Sequence, residues 1–152
     1  MFRGINPIKI DDKGRFAVPT RYRDALTAQG KQSLVVTIDI EETCLLLYPS
    51  AQWQLIEDKL QQLPSFNAAA RRIQRLLIGH AMDVELDSNG RLLLSSSLRT
   101  YAALEKDGVL IGQGNKFEVW NDALWQTKRE QWLMEEASKE DGLPDEMKTF
   151  SL

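Results

Sequence analysis

The residues best suited to chemistry lie in two copies of one short pattern. Residues 11–15 read Asp-Asp-Lys-Gly-Arg and residues 87–91 read Asp-Ser-Asn-Gly-Arg, so both copies have the form Asp-x-x-Gly-Arg. Aspartate and arginine four residues apart across a turn can form a charge-assisted hydrogen bond. For one copy, a surface turn with a weak ion pair is a sufficient explanation. A turn needs the glycine but not both charged residues, so the second copy favours a function.

The residues around the first copy predict a β-hairpin. Ile8 and Ile10 alternate with polar residues, as in a half-buried strand, and the apolar residues Phe16 and Val18 resume the alternation after the turn. Gly14 is free to take a positive φ in a short polar loop. The second copy repeats this arrangement around Gly90, with an aliphatic residue before it and the run 92–94 after it.

The same order of elements is predicted twice along the chain: strand, strand, helix, strand, strand, helix. Helix caps are predicted at Thr20, Ser50 and Ser95–Ser97, and helix ends at Gly30 and Gly79. The predicted helices of the first half cover 21–28, 51–63 and 68–78, and its later strands cover 34–38 and 45–48. The second half is predicted to have strands at 81–86, 109–111 and 117–120, and a last helix from Asn121. We therefore expect a first unit over 5–63, a connecting helix over 64–80, a second unit over 81–138 and a flexible acidic tail over 139–152.

Composition makes several classes of protein improbable. There is no run of about 18 apolar residues that could cross a membrane, and the N-terminus lacks a secretory signal. Cys44 is the only cysteine and His80 the only histidine, which is a poor basis for a zinc site or for histidine-based catalysis. We expect a cytoplasmic protein without disulfide, metal, cofactor or small-molecule substrate.

Charge is distributed unevenly, although the net charge is only −3. Residues 1–23 contain six basic and two acidic side chains, whereas residues 135–147 contain six acidic and one basic. The N-terminal part is therefore able to meet phosphates while the C-terminal part avoids them.

Several segments together resemble one known family. They are the opening Met-Phe-Arg-Gly at 1–4, the first hairpin through Val-Pro-Thr-Arg-Tyr-Arg at 18–23, Gln-Arg-Leu-Leu-Ile-Gly-His-Ala at 74–81, Gly-Gln at 112–113 and Asn-Lys-Phe-Glu-Val-Trp at 115–120. These segments resemble the MraZ family over about residues 1–130. The resemblance implies an α+β fold of two tandem AbrB-like swapped-hairpin units forming a pseudo-two-fold β-barrel with flanking helices.

The resemblance also implies a function. The MraZ family binds short G-rich direct repeats in promoter DNA upstream of the division and cell-wall gene cluster, and it assembles into rings. We therefore expect a transcriptional regulator, acting as a repressor at the nucleoid. We also expect a homo-oligomeric ring in the octamer-to-dodecamer range.

Charge and shape then assign roles to individual residues. A hairpin tip can enter a major groove, where arginine can pair with guanine O6 and N7, and Arg15 is our choice for this contact. Lys13 is assigned to a phosphate or a second base. The other predicted DNA contacts are Arg3, Lys9, Arg21 and Arg91, and the residues predicted to orient the hairpins are Asp11, Asp87, Gly14 and Gly90. The second turn has Asn89 in place of Lys13 and is less basic, so Arg91 either contacts DNA or only holds its own hairpin.

Other interpretations remain open at this stage. The fold is shared with antitoxins, so the acidic tail could bind a protein. Asp11 and Asp87 could be proposed as an acid–base pair of an enzyme, but an arginine beside each would keep it ionised. On the helix predicted over 68–78, three arginines, Arg71, Arg72 and Arg75, could form a solvated face, a phosphate contact or a subunit contact.

Overall fold

The structure is a computed structural model, and it describes residues 1–27 and 33–138. The strands are β1 (Phe2–Lys9), β2 (Arg15–Ala17), β3 (Ser33–Ile38), β4 (Leu45–Pro49), β5 (Met82–Glu85), β6 (Arg91–Leu93), β7 (Asp107–Gly114) and β8 (Phe117–Asn121). The helices are α1 (Thr20–Thr27), α2 (Ser50–Gln61), α3 (Ala68–Leu77), α4 (Ser96–Tyr101) and α5 (Asp122–Ser138). The described residues fall into two compact units, and the division lies between Asp122 and Ala123.

Strand pairing confirms the internal duplication and the α+β class. Six strands form an antiparallel sheet in the order β1-β7-β8-β4-β3-β5, and β2 and β6 form a separate antiparallel ribbon. Exchanging each strand of the first half with its counterpart in the second half leaves both orders unchanged. In the part of the chain that the structure describes, β1 and β5 are the edges of the larger sheet. Closure into a barrel stays a prediction.

The two predicted hairpins are interleaved, so neither is a self-contained ladder. Where the structure describes the chain, β1 pairs with β7 and β2 pairs with β6, although β1 and β2 are joined by the first turn. Phe16 and Leu92 face each other at the centre of the ribbon, and their exposed fractions are 1% and 0%. A three-residue strand buries little apolar area alone, so pairing across the halves gives each strand a shared core.

One apolar core contains side chains from both halves. Its members include Phe16, Leu92, Leu110 and Phe117. A smaller cluster around Trp53 lies beneath α2 on Val35 and Tyr48 of the sheet. Neither half could bury its strands without the other, because the main cluster draws on both.

Most predicted elements are confirmed, but the caps predicted at Thr20 and Ser50 fall on the first helical residues of α1 and α2. Ser95 caps α4 by accepting a hydrogen bond from the backbone N–H of Leu98 at 3.4 Å. At α2, however, Pro49 occupies the N-cap position without a side-chain hydrogen bond. Ser50 is already helical, and its hydroxyl instead lies 2.8 Å from the hydroxyl of Ser33. The Ser50 hydroxyl therefore bonds Ser33 of β3 rather than the backbone at the start of α2.

Some predictions fall outside the described residues. They are the end of the first helix at Ala28, the stop at Gly30 and the acidic tail over 139–152. Among the described residues, no helix combines the length and the apolar character that crossing a membrane requires.

Candidate nucleic-acid interface

The first Asp-x-x-Gly-Arg turn is held together by the Asp11 carboxylate. Its Oδ1 accepts hydrogen bonds from the backbone N–H groups of Lys13 at 3.0 Å and Arg15 at 2.9 Å. Its Oδ2 accepts the Arg15 Nε–H at 2.9 Å, so the predicted contact between the two side chains is confirmed. The backbone closes the same turn, because the Gly14 N–H donates to the Asp11 carbonyl at 3.0 Å.

The second turn repeats this network bond for bond. Asp87 Oδ1 accepts from the backbone N–H groups of Asn89 at 2.8 Å and Arg91 at 2.9 Å. Asp87 Oδ2 accepts the Arg91 Nε–H at 3.2 Å. Gly14 and Gly90 both have a positive φ, of +90° and +73°, which the turn requires and which side chains disfavour. The motif therefore specifies one turn geometry twice.

The two aspartates are held in the ionised form. Hydrogen bonding from the Arg15 backbone N–H is the largest cause that lowers the pKa of Asp11, and the Arg15 side chain adds to it. The pKa of Asp87 is lowered in the same way by Arg91. A general acid near neutral pH needs a raised pKa, so these carboxyls are tuned in the opposite direction. Their geometry suits the orientation of an arginine.

The ribbon of β2 and β6 presents both motif arginines on its outer face. Arg15 lies opposite Leu93, and Ala17 lies opposite Arg91, while the central pair faces the core. Each arginine side chain is about one-third exposed, and Leu93 is 56% exposed. Two paired strands lie about 4.8 Å apart, so such a ribbon with its side chains fits a major groove about 12 Å wide.

The other predicted DNA contacts are less closely grouped. Lys13 is exposed at the first tip, beside the ribbon. Lys9 is exposed at the end of β1 near the turn, but its ammonium is hydrogen-bonded to Asp107, which raises the pKa of Lys9. Arg3 lies six residues earlier on β1, about 20 Å further from the turn at the rise of a strand. The structure thus brings Lys13 and Lys9 near the first turn and leaves Arg3 apart.

Arg21 is engaged in support of β1. Its guanidinium donates to the side chain of Asn6 and, at 2.9 Å, to the hydroxyl of Tyr22. The Arg21 guanidinium carbon also lies 4.7 Å from the centre of the Tyr22 ring. Asn6 and Tyr22 are buried and hydrogen-bonded to each other at 2.9 Å. The Arg21 guanidinium is therefore part of a polar network inside the protein, which leaves it less available to bind DNA.

Sequence reasoning missed two arginines, Arg23 and Arg99. Each follows its motif arginine by eight residues, which is the signal that could have found them. Arg23 lies on α1 and Arg99 on α4, and both are half-buried against the turns. They supply positive charge directly behind the motif.

One cluster of possible metal ligands occurs among the described residues, formed by Asp39, Cys44 and Glu118. Their ligand atoms all lie within 4.8 Å of one another. Burial is the largest cause that raises the pKa of Cys44 and of Glu118, so each ionises less readily than the free side chain. The Cys44 Sγ donates to Asp39 Oδ2 at 3.6 Å, and the Trp120 Nε1–H donates to Glu118 at 3.0 Å. These hydrogen bonds give the cluster a structural explanation.

Comparison with known proteins identifies the family. A family model described as an antitoxin-like MraZ protein matches residues 1–76 and again residues 77–143. The chain belongs to the MraZ family. It is 76% identical over 152 residues to the transcriptional regulator MraZ of Legionella pneumophila (strain Corby), and the alignment covers all of both chains. The transcriptional regulators MraZ of Coxiella burnetii (strain Dugway 5J108-111) and Halorhodospira halophila (strain DSM 244 / SL1) are 55% and 48% identical, again over the full length of both chains.

Membership of the MraZ family agrees with the symmetry of the fold. The two matches of the family model meet between residues 76 and 77, at the end of α3, so each match covers one half of the duplication. The three MraZ relatives are named for the regulation of transcription. The resemblance to MraZ and the expectation that the chain is not an enzyme are therefore confirmed.

Proposed function

We propose that this chain regulates transcription by binding short G-rich direct repeats in promoter DNA through the β2–β6 ribbon. The observation that carries the proposal is the pair of arginines, Arg15 and Arg91, each oriented by a carboxylate on one exposed face. Guanine offers O6 and N7 to an arginine in the major groove. A ribbon with two arginines of fixed orientation is suited to read two such bases.

The hydrogen bond to Asp11 leaves the DNA-facing part of Arg15 available. It uses Nε, and no hydrogen bond within the described part of the chain involves the two terminal nitrogens of Arg15. Those nitrogens are the donors for guanine. Fixing the guanidinium beforehand lowers the ordering cost of binding, since fewer rotamers are lost. Arg91 is proposed to act in the same way at the second turn.

Lys13 is proposed to contact a phosphate, because it is exposed at the tip and forms no ion pair with a described residue. The proposed backbone contacts of Arg3, Lys9 and Arg21 position the protein without specifying sequence. Lys9 and Arg21 are expected to contribute less than Lys13, because Lys9 is paired with Asp107 and the Arg21 guanidinium is hydrogen-bonded to Tyr22.

One ribbon provides few contacts, so we propose that several chains act together in a ring. Head-to-tail packing closes into a ring when the rotation between subunits allows it. A ring in the octamer-to-dodecamer range would present equivalent ribbons to successive direct repeats, and avidity would raise the affinity. The proposed site of action is the nucleoid in the cytoplasm. There the protein would repress the division and cell-wall gene cluster.

The unit boundaries proposed for this protein are 5–63, 64–80 and 81–138, with 139–152 as an acidic tail. Each of the two main units contributes one turn to the proposed interface. The tail is placed outside the interface, since its charge would repel phosphate.

Fluorescence anisotropy with DNA that carries four G-rich direct repeats tests the proposal. Arg15→Ala should lose most of the preference for repeats over scrambled DNA, because a bidentate arginine–guanine pair supplies about 1–3 kcal/mol of discrimination. The matched control is Arg129→Ala, which removes the same charge from an exposed position on α5. An unmodified chain that binds both DNAs equally would refute readout by the ribbon.

The same titration locates the contacts when it is repeated over a range of salt. The logarithm of the affinity falls with the logarithm of the salt concentration by roughly 0.9 per neutralised phosphate. Lys13→Ala should therefore reduce the slope by about one phosphate and leave the preference for repeats intact. Arg91→Ala decides whether the second turn reads bases or only holds its own hairpin.

A second candidate is a protein-binding module of the antitoxin type. The excess of acidic side chains over residues 135–147 and the antitoxin-like description of the family model favour it. Deletion of residues 139–152 separates the two functions. Repeat binding that survives the deletion supports the ribbon, whereas equal binding of repeats and scrambled DNA by the full chain favours the protein-binding module.

A further inference from the structure

Each motif turn rests on the other half of the chain. The Leu94 N–H, which follows β6, donates to the carbonyl of Gly14 at 2.9 Å. Reciprocally, the Val18 N–H, which follows β2, donates to the carbonyl of Gly90 at 3.0 Å. The exit of one ribbon strand is therefore the support of the neighbouring turn.

An arginine from the other half covers each turn as well. A β-carbon placed on Gly14 would lie 2.6 Å from Nε of Arg99 and 2.8 Å from its guanidinium carbon. Arg99 is fixed in that position because its Nε–H donates to the Leu94 carbonyl at 3.2 Å. Arg23 covers Gly90 in the same manner, and its Nε–H donates to the Val18 carbonyl at 2.6 Å.

The contact between Arg99 and Gly14 has a direct consequence for Arg15. Gly14 connects the exposed tip to Arg15, its carbonyl accepts the Leu94 N–H, and its Cα lies beneath the Arg99 guanidinium. The Asp11 carboxylate holds Arg15 itself, through the backbone N–H and the Nε–H. Arg15 is therefore held by Asp11, and the glycine that precedes Arg15 is covered by Arg99.

We infer that Arg99 is a positioning residue for DNA recognition by the first turn, acting across the two halves of the chain. This inference rests on the proposed function, and it adds a residue from the second half to the machinery of the first hairpin. Arg23 is the counterpart for the second turn. Each half thus controls the reading geometry of the other.

A double-mutant cycle tests the inference with Arg99→Met, which keeps much of the side-chain length and removes the guanidinium. Arg99→Met should reduce the preference for repeats over scrambled DNA by roughly tenfold, a part of what a bidentate contact supplies. Adding Arg99→Met to Arg15→Ala should then cost nothing further, because the residue being positioned is already absent. Adding it to Arg91→Ala should cost the full tenfold.

Two results would overturn the inference. Additive losses in Arg15→Ala with Arg99→Met would mean that Arg99 acts independently of Arg15. An unchanged preference for repeats, together with a salt slope reduced by about 0.9, would make Arg99 a phosphate contact. Arg99→Lys separates these roles, since lysine keeps the charge but lacks the planar guanidinium. If Arg99 contacts a phosphate, Arg99→Lys should keep the salt slope of the unmodified chain. If Arg99 positions Arg15, Arg99→Lys should lose the preference for repeats as Arg99→Met does.

Backbone amide chemical shifts test the contact between Arg99 and the first turn without DNA. If the chain shows no preference for repeats, the proposed function fails, but this test of the contact still stands. Arg99→Met should shift the amide signals of residues 13–15 and leave those of residues 89–91 in place. Arg23→Met, the matched control, should do the reverse. Shifts confined to residues 89–91 in Arg99→Met would overturn the crossed support, and wild-type-like dispersion elsewhere shows that the variant is folded.

Discussion

Replacing the turn glycines by alanine should expose an asymmetry between the two halves. Gly14 and Gly90 occupy equivalent places and both have a positive φ, so Ala carries a backbone strain of about 1–2 kcal/mol at either position. Their surroundings differ. At Gly90 the three nearest atoms to a new methyl group all belong to the Arg23 side chain. At Gly14 the methyl group also meets the backbone carbonyl oxygen of Leu94 at 2.8 Å.

The loss of stability in each variant depends on whether the atoms near the new methyl group can move away. In Gly90→Ala the Arg23 side chain can swing away, which sacrifices its hydrogen bond to Val18 at about 1 kcal/mol. The total loss of stability is then about 2–3 kcal/mol. In Gly14→Ala the corresponding bond of Arg99 is lost too, and Leu94 must shift, which weakens its backbone bond to Gly14 by about another 1 kcal/mol. We expect about 3–4 kcal/mol in total.

Urea denaturation followed by circular dichroism measures both variants under identical conditions. The midpoint of Gly14→Ala should lie below that of Gly90→Ala by about 1 kcal/mol divided by the common slope m. Equal midpoints, or a lower midpoint for Gly90→Ala, would refute the argument that the Leu94 backbone restrains the first turn. Protein concentration must be held constant, since association would shift both midpoints.

Three further predictions concern other contacts. The pKa values of Asp11 and Asp87 are lowered in the folded chain, so the stability they contribute is present above the unfolded pKa and is lost as the pH falls through the folded pKa. The double variant Asp11→Asn with Asp87→Asn should therefore lose less free energy of unfolding on acidification than the unmodified chain does, as measured by urea denaturation at a series of acidic pH values. Tyr22→Phe should lower the free energy of unfolding by about 1–3 kcal/mol in urea, because the buried amide of Asn6 loses a partner; an unchanged midpoint would contradict this. Phe16→Ala should cost about 3–5 kcal/mol by the same measurement, and a loss under about 1 kcal/mol would argue against a shared core at the ribbon.

Local features of the site could be predicted from the sequence because their contacts are short in sequence. The hydrogen bond between Asp11 and Arg15 spans four residues, and the turn between them needs little else to form. The cap at Ser95 is local for the same reason. The cap expected at Ser50 was wrong, because the Ser50 hydroxyl bonds Ser33 of β3, which is 17 residues away in sequence. A sequence pattern does not register such a competitor.

The repeated motif determined by itself that the chain is duplicated, that each half begins with a polar turn, and that each turn pairs an aspartate with an arginine. Tertiary structure alone decided which strands pair, since β1 and β2 both find partners in the other half. It also decided which arginine covers each turn. Arg99 reaches Gly14 because β6 pairs with β2, which brings the segment after β6 next to the first turn. That choice depends on the packing of both halves together, which residue spacing does not encode.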